Sequence, residues 1–461
     1  MKKLLYTSII AFSIFIAPSC NKNLDVQPKN SATPDQFKTS ADVETLLFGA
    51  YEQLQNYGGF GEQYLLVPDL IASDEQVDWV GTYSEYKDIQ HQSVVATNYV
   101  MGTLWGNSYK AVNAVNTVLD KLSIIDSADK ATVEGECKFI RATVFFELLG
   151  IFAKPYSDGQ ASTNLGIPLV LQPTYVYDST KNKPSRATVA ATYAQIISDL
   201  QDAIAKLPET NLNYRADLYS AKAILSRVYL NMQDYTNAAI QADDVIASGK
   251  FKLTAIYNLA FNNNNNSSED IFAIQQTAQS NAGTSNQGIE TFYAPYGGQP
   301  AGQPSGRGDA QINTDYYNYF EDGDFRKTYI TSGYSISGIT GDYPNKWSLF
   351  YKAIPVVRLA EMYLTRGEAN LMAGTSVGAA PLDDINIVRA RSEASLLTTV
   401  AGQDFVDERF RELGFEGDRM WTLKRLKMDV DGLGYDDDLL IMPIPQAEID
   451  VNANIKQNTG Y

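Results

Sequence analysis

Residues 219–251 read YSAKAILSRVYLNMQDYTNAAIQADDVIASGKF. Ala223 and Ile224, then Val228 and Tyr229, return about one turn apart, which places them on one side of a helix that Ser220 can cap. Gln233 and Asp234 make a polar break, and Tyr235, Ala238, Ala242 and Val245 then repeat the spacing until Gly249 stops it. Two apolar stripes separated by so short a break predict an antiparallel helix pair, and the small alanines let the two axes approach closely.

Working outward, the same signature recurs in 105–122, 131–152, 191–207, 356–374 and 381–395, each followed by a polar, Gly or Pro break. Leu225, Tyr229 and Ala238 fall where the tetratricopeptide pattern has Leu, Tyr and Ala, so the 219–251 pair resembles that repeat. The fold class is therefore mainly α, with several tetratricopeptide-like helix pairs. Residues 251–350 break the pattern: 262–266 are five asparagines, and NAGTSNQG, YGGQPAGQPSGRGD and SGYSISGITGDYP are loop-forming. A long loop-rich region with few short strands is expected there, and such regions commonly display function.

Composition excludes several classes. The chain carries 37 Lys+Arg against 54 Asp+Glu, a net charge of -17, with no basic run to follow a phosphate backbone, so no nucleic-acid partner is expected. Cys20 and Cys137 are too few and too far apart for a disulfide framework or metal spacing. The single histidine, His91 in DIQHQS, reads as a surface loop residue and leaves little material for histidine-based catalysis.

Lys2 and Lys3 precede an apolar run from Leu4 to Ala17, the order of parts of an export signal, and the run is shorter than the ~20 residues of a spanning helix. Ala17, Pro18 and Ser19 before Cys20 resemble a bacterial lipoprotein box, with Ala17 where the box usually has Leu. That resemblance implies cleavage after residue 19, lipidation of Cys20 and attachment to a membrane, and it accounts for an unpaired thiol. Residues 20–38 read as a polar tether. One domain is expected from 39 to 461, with a helical part to about 250, the loop-rich part to about 350 and a second helical part beyond.

GECKFIRATVFFELLGIFAKPY (135–156), RLAEMYLTRGEANLMAG (358–374), ERFRELGFEGDRMWTLKR (408–425) and IPQAEIDVNANIKQNTGY (444–461), with LIASDE at 70–75 and NLDVQP behind Cys20, resemble the RagB/SusD family of Bacteroidetes outer-membrane lipoproteins. The resemblance implies a SusD-like fold and a surface-exposed, non-catalytic binding protein. Such a protein captures oligosaccharide and passes it to a SusC-like TonB-dependent transporter in the outer membrane. Peptide or other nutrient capture, an anchored glycoside hydrolase and a pure helical-repeat scaffold are the alternatives.

Other motifs have simpler readings. Arg358, Glu361, Thr365 and Glu368 form a polar helix stripe, and Glu408, Glu412 and Glu416 interleave with Arg409, Arg411 and Arg419 as an ion-pair network. MDVDGLGYDDD (428–438) offers Asp429 and Asp431 to a structural calcium ion but lacks the EF-hand spacing, and no cofactor is otherwise expected. RGD at 307–309 is too short to specify adhesion. A sugar site needs exposed aromatic planes flanked by polar side chains. Trp105 and Trp421 lie in helical family segments and read as structural. Trp79, with Asp74, Asp78 and Tyr83, is the first candidate platform, followed by Tyr293, Tyr296 and Trp347 in the loop-rich region.

Overall fold

The computed structural model describes residues 37–176, 183–284 and 286–461. The export signal, Cys20 and the tether up to residue 36 lie outside the described residues. From Phe37 the chain enters α1 (Ser40–Gln55), capped by Thr39, whose hydroxyl accepts from the Asp42 amide while the Asp42 carboxylate accepts from the Thr39 amide. α2 (Gln63–Ile71) and α3 (Ser84–Gln90) are short, whereas α4 (Tyr99–Asp120) and α5 (Lys130–Phe152) run 22 and 23 residues. α6 (Val189–Lys206), α7 (Leu218–Asn231) and α8 (Tyr235–Ala247) complete the first helical part. The short α9 (Ile289–Tyr293) lies in the loop-rich part, and α10 (Leu359–Ala373), α11 (Pro381–Arg391), α12 (Gly402–Leu413), α13 (Asp418–Arg425) and α14 (Gln446–Val451) follow.

The opening stretch is the helix pair its spacing predicts, with one correction. Asp217, not Ser220, is the N-cap of α7; Ser220 is the third residue inside and returns a hydrogen bond to the cap. Gln233 takes a left-handed φ of 61° at the turn, and Asp234 caps α8. Packing is sequential: α1 on α4, α4 on α5, α5 on α6, α6 on α7, α7 on α8, then α8 on α10 and α10 on α11 and α12. Among the described residues no helix is long and apolar enough to cross a membrane.

Strands are few and short, three to five residues each: β1 (Val77–Trp79), β2 (Leu165–Pro168), β3 (Arg186–Thr188), β4 (Asp270–Ile274), β5 (Ala310–Ile312), β6 (Ile330–Tyr334), β7 (Thr340–Pro344) and β8 (Ile354–Arg358). They pair antiparallel as β1–β5, β2–β3, β4–β8 and β6–β7, so four two-stranded ribbons are laid on the helices without a continuous sheet.

Much of what joins these parts is buried and polar. Arg141 of α5 grips Asp199 of α6 through two bonds at 2.7 and 2.8 Å and reaches Asn116 of α4 at 2.8 Å. The Arg358 stripe is wholly inward: Glu361 pairs with Arg227, Thr365 accepts from Arg409, and Glu368 pairs with Arg425. Glu412 is the hub of the network, accepting from Arg358 at 3.0 Å, Arg326 at 3.3 Å and Arg391. Burial alone would raise its carboxyl, but Arg391, Arg358 and Arg326 together hold it well below the usual carboxylate range. Glu408 accepts from Arg326, Arg389 and Arg411, and Glu416 from Arg358 and Lys346. Of the interleaved arginines only Arg411 joins these glutamates; Arg409 goes to Asp418 and Arg419 to Glu75.

The C-terminal strand of chain is tied into the first helical part. Asn458 donates to the carbonyls of Phe152 (2.9 Å) and Met442 (2.7 Å) and accepts from Arg186 at 2.7 Å, while Asn452 donates to Pro184 O at 2.9 Å. Trp105 is buried at the Tyr109 and Phe152 rings, and Trp421 stacks on Phe146 at 4.5 Å with Gly150 beneath it; both serve the core.

Candidate functional site

β1 decides the fate of the first candidate. Strand alternation turns Val77 and Trp79 inward and leaves Asp78 half-buried on the other side. Trp79 is only 5% exposed: its ring packs on Tyr86 (4.7 Å) and Phe292 (5.4 Å), and its indole N–H donates to Tyr83 O at 3.2 Å. The exposure expected of Trp79 is thus corrected to burial, because VDW is a strand whose indole finds its acceptor inside. Trp347 and Tyr293 are corrected likewise. The Trp347 indole donates to Phe415 O at 2.8 Å, and the Tyr293 hydroxyl to Asp69 at 2.9 Å, both from fully buried rings. Asp74 is exposed and Asp78 accepts from Asn313 at 3.1 Å.

Tyr83, Tyr296 and several residues not foreseen make a different surface. Gly81 lets the chain pass over Asp309, where any Cβ would lie 2.6 Å from the Asp309 side chain, and the chain then turns through Thr82 and Tyr83 into α3. The Arg307 guanidinium lies 4.8 Å over the half-buried Tyr83 ring. Its Nε donates to the buried Asp309 carboxylate at 2.7 Å, and its outer nitrogens reach Thr82 and Asn286, each at 3.4 Å. Burial raises the Asp309 carboxyl and Arg307 opposes that shift, so the pair is a fixed, internally neutralised fork.

Two backbone links carry this fork to a pair of exposed rings. Gly306 bridges to Tyr296, and Arg307 O accepts from Ile336 N–H at 2.7 Å, two residues beyond Tyr334. Tyr296 N–H in turn donates to Tyr334 O at 2.9 Å, and the rings stand 6.1 Å apart at 57° with 41% and 50% of their surface exposed. Gly306 is required here, since a Cβ would meet Ala294 O at 2.1 Å. On the other side of Asn286, the hydroxyls of Tyr57 and the exposed Tyr99 share a hydrogen bond of 3.2 Å.

The floor is a set of buried acids. Glu62 accepts from Gly288 N–H at 2.7 Å and from the Tyr86 hydroxyl; burial pushes its carboxyl up to about 8 against those two donors. Asp69, raised by burial to about 7, accepts from Gln76, Tyr293 and Gly417. These groups pin the loops from within and none faces the surface.

Asp431, offered above to a calcium ion, serves as a clasp. Its Oδ2 accepts from the Ser73 amide (2.9 Å), the Ser73 hydroxyl (3.0 Å) and Gln92 (3.3 Å), and its Oδ1 from the Asp74 amide (3.0 Å), while Asp429 is exposed on the same turn. Among the described residues no group of three His, Cys, Asp or Glu side chains is placed to hold a metal.

A cavity of ≈ 1020 Å³ lies elsewhere, between α1, α4, the 168–175 segment and α14. Two of its lining side chains hold that segment down: Tyr109 donates to Pro168 O and Asn113 to Thr174 O.

Two family models match the chain. One, described as "Starch-binding associating with outer membrane", matches residues 22–230, and the other, the SusD family, matches 315–439. Together they cover most of it. The chain belongs to the SusD family. SusD-like protein P2 of Formosa agariphila is 23% identical over the whole of both chains. The starch-binding protein SusD of Bacteroides thetaiotaomicron is 32% identical over 34% of this chain and 29% of its own. A solved laminarin-binding SusD-like protein superposes with a TM-score of 0.75 at 22% identity, covering 92% of this chain and 100% of that one. The SusD-like fold expected from the four sequence segments is the one found.

Proposed function

We propose that this chain is a non-catalytic lipoprotein of the outer-membrane surface that captures a neutral oligosaccharide and delivers it to a SusC-like TonB-dependent transporter. The observation that carries the reading is the exposed Tyr296–Tyr334 pair joined to the Arg307 fork. Tilted rings offer flat faces to the C–H side of a sugar, while Arg307, Thr82 and Asn286 supply donors and acceptors for its hydroxyls. Arg307 is already neutralised by Asp309, and the net charge of -17 repels an anionic polymer, so an uncharged glycan fits best. Family relatives named for starch and laminarin binding, both neutral glucans, support the same class. Hydrolysis would call for a pair of free carboxylates beside the sugar, whereas Asp309 and Asp78 are committed to Arg307 and Asn313.

Affinity electrophoresis in laminarin and in starch tests this. The wild-type chain should be retarded by at least one of them without releasing reducing ends, and Tyr296→Ala with Tyr334→Ala should weaken binding about tenfold, the loss of roughly 1.4 kcal/mol of stacking. Free migration in both gels, or release of reducing ends, would overturn the proposal.

A further inference from the structure

A second aromatic surface stands on α1, outside the site described above. Phe48 and Tyr214 are 43% and 36% exposed, with ring centroids 6.1 Å apart and planes tilted by 40°. Leu212, 54% exposed, lies two residues before Tyr214. An aromatic pair this open leaves apolar ring surface in water.

Its surroundings are amides. Asn213 donates to Gln275 Oε1 at 3.3 Å and lies 3.5 Å from Asn265 Oδ1, and Gln275 in turn donates to Asn266 at 2.5 Å. The run of asparagines is thereby brought beside the rings. Two cations adjoin it: Arg215 lies 5.1 Å over Phe48 and is neutralised by Glu136 at 2.9 Å, and Lys352 donates to Asn264 Oδ1 in the asparagine run at 2.6 Å. Glu44 and Glu52 flank Phe48 one turn away on either side of the same helix row. Aromatic faces and carboxamides suit an uncharged polyhydroxylated chain, and the two glutamates flanking Phe48 disfavour an anionic one.

The patch is continuous with the first surface. Gln55 follows Phe48 by seven residues on the same side of α1, about 10 Å along the axis. Its amide donates to Gln275 O at 2.5 Å and accepts from Ser280 at 2.8 Å, which ties the asparagine cluster to the end of α1. Tyr57 follows, bonded to Tyr99, and Gln287 and Asn286 lead from there to Arg307.

We infer that the Phe48–Tyr214 platform is a second, distal subsite on one extended track, and that the chain therefore prefers long neutral glucans to short ones. This rests on the carbohydrate reading above. Isothermal titration with short and long malto- and laminari-oligosaccharides tests it on the full chain. Phe48→Ala with Tyr214→Ala should lower affinity for the long chains about tenfold and leave the shortest bound ligand unchanged, which also shows that the variant is folded. Tyr296→Ala with Tyr334→Ala should weaken both lengths. If the distal variant binds every length as the wild type does, the distal subsite is overturned while the first site stands. If the Tyr296 and Tyr334 variant has no effect, or the wild type binds neither glucan, the track falls together with the reading it extends.

Discussion

Lys424 is the residue whose environment most plainly opposes its charge. Its ammonium donates to Leu440 O at 2.8 Å from a fully buried position, and burial alone lowers it from 10.5 to about 7. The unfolded chain keeps that proton up to about 10.5 while the folded chain releases it near 7, so this group makes stability rise with pH across that window. Lys424→Met should therefore stabilise most below pH 7, with the gain fading towards pH 10.5; urea midpoints along that range are the check, and a pH-independent shift would refute it. Single residues were also where sequence reading was weakest. Trp and Tyr carry an apolar body and a polar tip, so Trp79, Tyr293 and Trp347 satisfied both an exposed and a buried reading until their acceptors, Tyr83 O, Asp69 and Phe415 O, were located. Arg307 hid in a tripeptide, and only its flanking Gly306 and Gly308 hinted at a close backbone passage.

At the scale of elements, α7 and α8 were legible because three turns or more of apolar spacing outweigh local noise. Their cap was misplaced by three residues since Asp217 and Ser220 are both good cap formers and each bonds the other. Asp217→Ala should lower the unfolding free energy by about 1 kcal/mol in chemical denaturation, and Asp217→Asn should restore most of it. The ribbons were not legible: a strand of three residues such as β1 or β5 cannot display a period of two, and its pairing is set by long-range register, Val77 opposite Ile312. The polar stripe from Arg358 along α10 could be read as solvated or as paired with a neighbouring helix; each member is buried and meets a partner from another helix, which no local pattern encodes.

For the whole molecule, the family could be read because its segments are spread along the chain in fixed order, while the network they form could not. Glu412 collects Arg326, Arg358 and Arg391 from three separate parts of the sequence. Attachment belongs to this scale too. Cys20→Ser should move the protein from the membrane to the soluble fraction with glucan retention unchanged, and a variant still in the membrane pellet would refute the lipid anchor. The asparagine clasp at the end of the chain bears on time as well as stability. Phe152 O and the Arg186 guanidinium bond each other at 3.0 Å, and Asn458 joins them from 306 and 272 residues further along the chain. A chain delivered from its N-terminus leaves that clasp open until Asn458 is available, so its closure is governed by a long loop and comes late in folding.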